Sequence, residues 1–160
     1  MLTVRLKIDS SGTIYDTAEH WGLVYLSSDH ILGAPAKAFE STTYPEQEGE
    51  NLLPKTVDDA FDYKVKFFIK ADSLANANEK IAAFNSALYT KETGKDTKVF
   101  KQVYFYNDYK RTLIVGYPQP ISEATDFWRD KRGSMLDVVV VEWTIRVNKP
   151  SLCNFNLTTT

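Results

Sequence analysis

The residues best able to do chemistry in this sequence are two histidines and several closely spaced acids. His20 and His30 lie ten residues apart, which is not the HExxH or similar spacing that brings two ligands to one metal ion. The pair Asp58 and Asp59 could in principle do acid–base work, but their segment offers no aromatic pocket that would shift a carboxyl pKa. We therefore expect a solvated acidic loop, with no catalytic residue, no metal ligand and no cofactor-binding residue.

Motifs for nucleophilic or nucleotide chemistry are missing as well. The sequence has no GxSxG elbow, no glycine-rich phosphate loop and no GxGxxG, and it contains only seven glycines. Its single cysteine, Cys153, excludes an intramolecular disulfide and a cysteine-rich metal site. These observations predict a protein that is not an enzyme, with Cys153 as a small packed side chain.

Charge and hydropathy also limit the kinds of partner. The formal net charge is −2, without a block of consecutive Lys or Arg, which disfavours sequence-specific nucleic acid binding. Apolar runs such as Val138–Val141 are far shorter than the roughly 20 residues that span a bilayer. The N-terminus lacks the apolar run of a signal peptide. We expect one domain over residues 1–160, made in the cytoplasm and without a membrane partner.

The elements that would position any functional residue can be read from periodicity. Alternation of apolar and polar residues predicts a strand over 2–8, a short second strand over 21–26 and a strong strand over 61–70. Asp72 or Ser73 is a candidate N-cap for an amphipathic helix. The apolar stripe of this helix consists of Leu74, Ala77, Ile81, Phe84 and Leu88.

Period-two patterns return in the second half of the chain. Segments 98–106 and 109–117, joined at Asn107 and Asp108, predict a hairpin, and 136–147 predicts a long final strand. The intervening stretch 121–133 fits either a helical turn or a longer hairpin tip, and the tail at 148–160 is expected to be frayed or docked on a partner. The most economical architecture is α+β: an antiparallel sheet or small barrel with one main helix.

The segment from about 27 to 60 loses periodicity and turns acidic. Over Glu40 to Asp62 there are seven acids against one base, Lys55. A structureless connection this long is far above the usual median of about 4–6 residues and tends to be functional or mobile. A different hint comes from Phe127, Trp128 and Arg129, placed at an expected loop tip, because large aromatics and Arg are enriched in protein–protein contacts.

About two-thirds of the chain, from Pro54 to Asn156, resembles a known family in pattern and order. A strand leads into one helix that ends near the phrase NSALY at Asn85–Tyr89, and a hairpin and a closing strand follow. This arrangement is similar to the N-terminal ring-forming domain of phage distal tail proteins and their tail-tube relatives. The similarity concerns residues that serve folding rather than catalysis.

The resemblance implies an antiparallel β-sandwich or split barrel flanked by one helix, assembled into hexameric or stacked rings in a phage or prophage tail. It implies the virion as location, and the chain itself and other tail or baseplate proteins as partners. In such a ring the 27–60 segment would be an assembly element, with Phe39, Tyr44, Leu52 and Leu53 contacting a neighbouring subunit. A small-ligand or carbohydrate-binding module and a head–tail connector stay open as alternatives.

Overall fold

The computed structural model describes residues 2–129 and 137–157. Their helices are α1 (Thr17–Trp21), α2 (Leu74–Ala87) and a 3-10 helix (Pro150–Leu152). Their strands are β1 (Val4–Ile8), β2 (Ile14–Asp16), β3 (Val24–Ser28), β4 (Glu40–Thr42), β5 (Asn51–Leu53), β6 (Phe61–Ala71), β7 (Tyr89–Lys91), β8 (Lys98–Phe100), β9 (Val103–Asn107), β10 (Thr112–Pro118), β11 (Ala124–Arg129) and β12 (Asp137–Val147). This is a mainly antiparallel β-structure with one main helix, which confirms the predicted α+β class.

Eight of these strands form the main sheet. Their order is β2-β1-β9-β10-β12-β6-β3, and β11 pairs with one end of β12. All the pairings are antiparallel, as expected for strands that alternate between an apolar and a polar face. The strands predicted over 2–8, 61–70 and 136–147 are therefore confirmed as β1, β6 and β12, although β1 begins only at Val4 and residue 136 lies outside the described residues. The hairpin is confirmed between β9 and β10.

The sheet core is centred on an aromatic cluster around Trp143 of β12. The Trp143 ring lies 6.2 Å from that of Phe67 on β6, 5.2 Å from Phe84 on α2 and 6.0 Å from Phe105 on β9. All four side chains are fully buried. Since β9 is not a hydrogen-bonded neighbour of β6 or β12, these contacts show that distant strands of the sheet share one core.

Strand β10 pairs with β9 as far as Gly116 and with β12 at Tyr117 and Pro118. Gly116 sits at this point, and a Cβ there would collide with the carbonyl oxygen of Arg146, so only glycine lets the two strands approach this closely. β12 pairs only with Tyr117 and Pro118 of β10. Part of the remaining edge of β10 is therefore left for another segment.

The C-terminal tail occupies that edge, so the expectation of a frayed or partner-docked tail is wrong for residues 148–157. The N–H groups of Leu113 and Asn154 each donate to the other residue's carbonyl, at 2.8 and 2.9 Å. Two residues further along β10, the Val115 N–H donates to Sγ of Cys153 at 3.3 Å. Burial raises the pKa of the Cys153 thiol, while this hydrogen bond opposes the rise.

The main helix α2 is bounded and oriented largely as predicted. Ser73 is its N-cap, with the side-chain oxygen accepting from the Asn76 N–H at 3.2 Å. Of the predicted stripe, Ala77, Phe84 and Leu88 are fully buried and Ile81 is half-buried. Leu74, the first residue of the helix, is the exception, because it is 46% exposed.

The second strand predicted over 21–26 is wrong at its start. The Asp16 side chain accepts from the N–H groups of Ala18 and Glu19, which nucleates α1, and Gly22 ends this helix in the left-handed conformation at φ 74°. Trp21 therefore closes a helix and packs edge-on against Phe84 at 5.4 Å. The strand itself begins only at Val24.

Two other predictions need correction or completion. The strand predicted over 98–106 is divided in two, since β8 pairs with β7 and β9 pairs with β1 and β10. Within 121–133, the residues up to 129 that are described follow the hairpin alternative, because β11 pairs with β12 through a register shift between Ala124 and Asp126. The rest of that stretch, 130–133, lies outside the described residues.

The packing of α2 on the aromatic cluster gives the first prediction. Phe84→Ala should lower the free energy of unfolding by about 3–5 kcal/mol, because it removes a fully buried ring and leaves a cavity beside Trp143. Glu79→Ala, an exposed position on the same helix, should change it by less than about 0.5 kcal/mol. Urea denaturation followed by circular dichroism measures both, and equal stability of the two variants would contradict this account of the core.

Candidate functional site

The most distinctive surface feature is a projecting segment, residues 37–57, which we call the arm. Its two ends are held together where Ala36 pairs with Asp58, and the Lys37 N–H donates to the Val57 carbonyl at 3.0 Å. Further out, β4 and β5 pair as a short antiparallel hairpin. The prediction of a structureless connection over 27–60 is therefore wrong, because backbone pairing between its two halves forms a hairpin that side-chain periodicity does not reveal.

The arm carries apolar side chains that the protein's own core does not cover. Every residue from 35 to 59 is exposed. Phe39, Tyr44, Leu52 and Leu53 are each between 47% and 51% exposed, and none belongs to the hydrophobic core of the described residues. The structure thus brings these four predicted interface residues together on one projection, and their role in an interface stays a prediction.

The other predicted interface residues, Phe127, Trp128 and Arg129, do not lie at a loop tip. Their backbone belongs to β11, where they pair with Val139, Val138 and Asp137 of β12. The sequence pattern concealed this strand because only its backbone pairing to β12, and no clear apolar alternation, defines it. Their side chains lie outside the described part of the structure, and their role in an interface also stays a prediction.

A groove lies between α2 and the segment that follows β10. It has a volume of about 460 Å³ and an apolar lining that includes Leu74, Ile81, Ala82, Ile121 and Val139. Sequence reasoning assigned Ile81 to the core and did not foresee the groove. The clearest sign of the groove is that Leu74, on the core-facing stripe of α2, is exposed, which only the structure reveals.

Asn85 fixes one wall of this groove. Its side-chain nitrogen donates to the Ile121 carbonyl at 2.8 Å, and its side-chain oxygen accepts from the Ile121 N–H at 2.9 Å. The amide thereby satisfies both backbone groups of one residue, as a neighbouring strand would. The first residue of the NSALY phrase therefore has a structural task, which is to attach the segment after β10 to the main helix.

A second projection is the hairpin of β7 and β8, residues 89–101, which we call the basic hairpin. It contains four lysines and two acids, and Val99 on it is 47% exposed. Tyr89 pairs with Phe100 at its base, where their rings lie 5.6 Å apart. Sequence reasoning missed it as a separate unit, although the clustering of lysines between 91 and 101 was a visible signal.

The residues first considered for chemistry are dispersed. His20 stacks on Tyr15 at 4.0 Å between ring centroids, at the end of α1, whereas His30 is exposed in the segment that leads to the arm. Asp58 and Asp59 are exposed at the base of the arm. Within residues 2–129 and 137–157, no three His, Cys, Asp or Glu side chains are grouped so that they could hold a metal ion.

Three polar side chains, Ser28, Tyr63 and Asn107, form a small network. The side-chain nitrogen of Asn107 donates to the Ser28 hydroxyl at 3.0 Å and lies 3.5 Å from the Tyr63 hydroxyl. Burial raises the pKa of Tyr63, while hydrogen bonds to its hydroxyl oppose the rise. The network joins β3, β6 and β9.

Comparison with known proteins adds no relative: the chain matches no protein-family model and no curated protein. Within the described residues, no helix has the length and apolar character needed to cross a membrane. The surface features that bear on function are therefore the arm, the basic hairpin and the groove.

The arm should be separable from the fold. Replacing residues 38–56 by a short Gly-Ser link should leave cooperative unfolding intact and change the melting temperature by only a few degrees, because the arm contributes no residue to the core and its ends are already paired. Differential scanning calorimetry of the shortened and full-length proteins measures this. Loss of the cooperative transition would show that the arm is required for folding.

Proposed function

We propose that this protein is a structural, non-enzymatic subunit of a phage or prophage tail, of the distal tail or tube type, that self-assembles into a ring. One observation carries the proposal: the arm presents five large apolar side chains that the core does not cover, namely Phe39, Tyr44, Leu52, Leu53 and Val57. A ring hexamer in the virion tail, in contact with other tail or baseplate proteins, is the assembly that the family resemblance implies.

The energetics of the arm support self-association. Fully burying a Leu or Phe side chain is worth about 1.5–3 kcal/mol relative to leaving it in water. A hairpin with two three-residue strands is marginally stable on its own. A neighbouring subunit that covers Phe39, Leu52 and Leu53 would supply both the missing apolar contacts and the order of the arm.

The fold is compatible with the tail part of the proposal. The implied β-sandwich or split barrel with one flanking helix agrees with an antiparallel sheet whose strands β6, β9 and β12 share one core with α2. The resemblance over Pro54 to Asn156 supplies the link to tails, and a head–tail connector subunit would present the same features. The arm supports only self-assembly and does not by itself indicate a tail protein.

Removal of apolar surface from the arm tests the proposal. Wild-type protein should form a discrete ring-sized oligomer by size-exclusion chromatography with light scattering, and Leu52→Ser with Leu53→Ser should shift it to monomer because two contacts with the neighbour are lost. The matched control, Leu2→Ser with Leu152→Ser, removes two comparably exposed leucines outside the arm. The proposal fails if wild-type protein stays monomeric at every concentration and also in tail preparations.

The groove favours a second candidate function, a small-ligand or carbohydrate-binding module. Its volume of about 460 Å³ falls within the range of roughly 300–1,000 Å³ typical of ligand sites. In a thermal-shift screen of sugars and small apolar compounds, a true ligand would raise the melting temperature of wild-type protein but not of Ala82→Trp, which fills the groove. If no compound in the screen raises the melting temperature in this way, the ligand-binding function is ruled out.

A further inference from the structure

The two projections of this protein carry opposite charge. The arm contains Glu40, Glu46, Glu48 and Glu50 against Lys37 and Lys55, and three of the glutamates lie in the loop between β4 and β5. The basic hairpin contains Lys91, Lys95, Lys98 and Lys101 against Glu92 and Asp96. One domain thus presents an acidic and a basic surface on separate hairpins.

The basic hairpin has an internal arrangement that is unfavourable for an isolated subunit. Lys91 lies directly opposite Lys98 in the β7–β8 register, and like charges directly opposite each other on paired strands are destabilising. Lys98 also has its Nζ 4.7 Å from the centre of the Tyr89 ring, which keeps this ammonium on the face that Lys91 shares. An acidic partner on this face would relieve the repulsion.

The protein's own acids leave that face unneutralised. In the described chain the hairpin has one ion pair, between Lys95 and Glu92 at 3.5 Å, and it is strongly exposed. Lys91 and Lys98 form no ion pair there, and neither do Glu46 and Glu48 of the arm. No hydrogen bond or ion pair joins the two hairpins within one described chain, so their complementarity is available to a second copy.

We propose that the basic hairpin of one subunit receives the acidic arm of a second copy of this chain. The inference rests on the proposed self-assembly and identifies the surface that meets the arm. Charge complementarity selects this occupant, and a nucleic acid would have to approach a chain whose net charge is −2 and whose arm repels phosphate. Because the arm and the basic hairpin are different surfaces, the contact is heterologous, and it repeats around a ring if the rotation between subunits closes.

Such a contact has a characteristic salt dependence. Exposed charges contribute mainly to encounter rate and to partner choice, and they are screened over about 8–10 Å at physiological ionic strength. The apolar side chains of the arm are not screened. Self-association should therefore weaken as NaCl is raised, without being abolished.

Paired charge reversal tests the inference. One variant combines Lys91→Glu with Lys98→Glu, and the other combines Glu46→Lys with Glu48→Lys. Each alone should associate about tenfold more weakly or worse than wild type. An equimolar mixture should recover association, because subunits of the two variants can alternate so that every contact joins an acidic hairpin to a basic arm or a basic hairpin to an acidic arm. The chain that carries all four substitutions should also associate, because its basic arm meets an acidic hairpin.

Controls separate charge pairing from general effects. Lys64→Glu with Lys149→Glu makes the same charge change at exposed lysines outside both hairpins, and it should associate as wild type. Circular dichroism and melting temperature must show that each variant is folded. Sedimentation velocity at several salt concentrations measures association, and fluorescence anisotropy with a labelled oligonucleotide measures nucleic acid binding.

Each outcome has a separate meaning. If wild type assembles and the two reversals behave like the control, or if the mixture and the fourfold variant are not restored, the arm-to-hairpin contact is wrong while self-assembly stands. Oligonucleotide binding that is lost in Lys91→Glu with Lys98→Glu would assign the basic hairpin to nucleic acid and overturn the inference. Wild-type protein that never assembles would overturn the proposed function itself.

Discussion

The burial of Trp143 is the constraint on which the rest of the fold depends. Its ring contacts aromatic side chains from β6, β9 and α2, so one residue joins the centre of the sheet to the helix and to a strand that is not its hydrogen-bonded neighbour. Its indole N–H has no partner among the described residues. An unpaired buried donor is unfavourable, so the aromatic packing around it must outweigh that cost.

The peripheral elements are placed by this cluster. Phe84 contacts both Trp143 and Trp21, which brings α1 onto α2 and with it the connection from β2 to β3. The next residue of α2, Asn85, holds Ile121 through its side-chain amide and so sets the course of the chain between β10 and β11. The groove exists because these contacts hold two elements side by side without filling the space between Leu74 and Val139.

What could be predicted from sequence follows from this division between core and periphery. Strands with one buried face, such as β6 and β12, reveal themselves by alternation, and α2 by its cap at Ser73 and its apolar stripe. The short helix α1 is fixed by a cap at Asp16 and a left-handed Gly22 rather than by periodicity, and the apolar Trp21 resembled the start of a strand. The docking of the tail depends on the edge of β10 at Leu113, which β12 leaves unpaired because it pairs only with Tyr117 and Pro118.

The candidate interaction surfaces were only half predictable for the same physical reason. Apolar residues without a periodic pattern, such as Phe39 and Leu52, can be recognised as lacking a place in the core. The surfaces that would receive a partner cannot be recognised from sequence. Strand register decides which lysines of the basic hairpin face each other, and side-chain burial decides whether the groove is open. Because the arm contributes no residue to the core, the free energy of burying its apolar side chains would be available for contacts between subunits of the proposed ring. Apolar contacts would then give affinity, and opposite charges on two different hairpins would give direction, favouring head-to-tail over two-fold pairing. A closed ring needs that direction as much as it needs affinity.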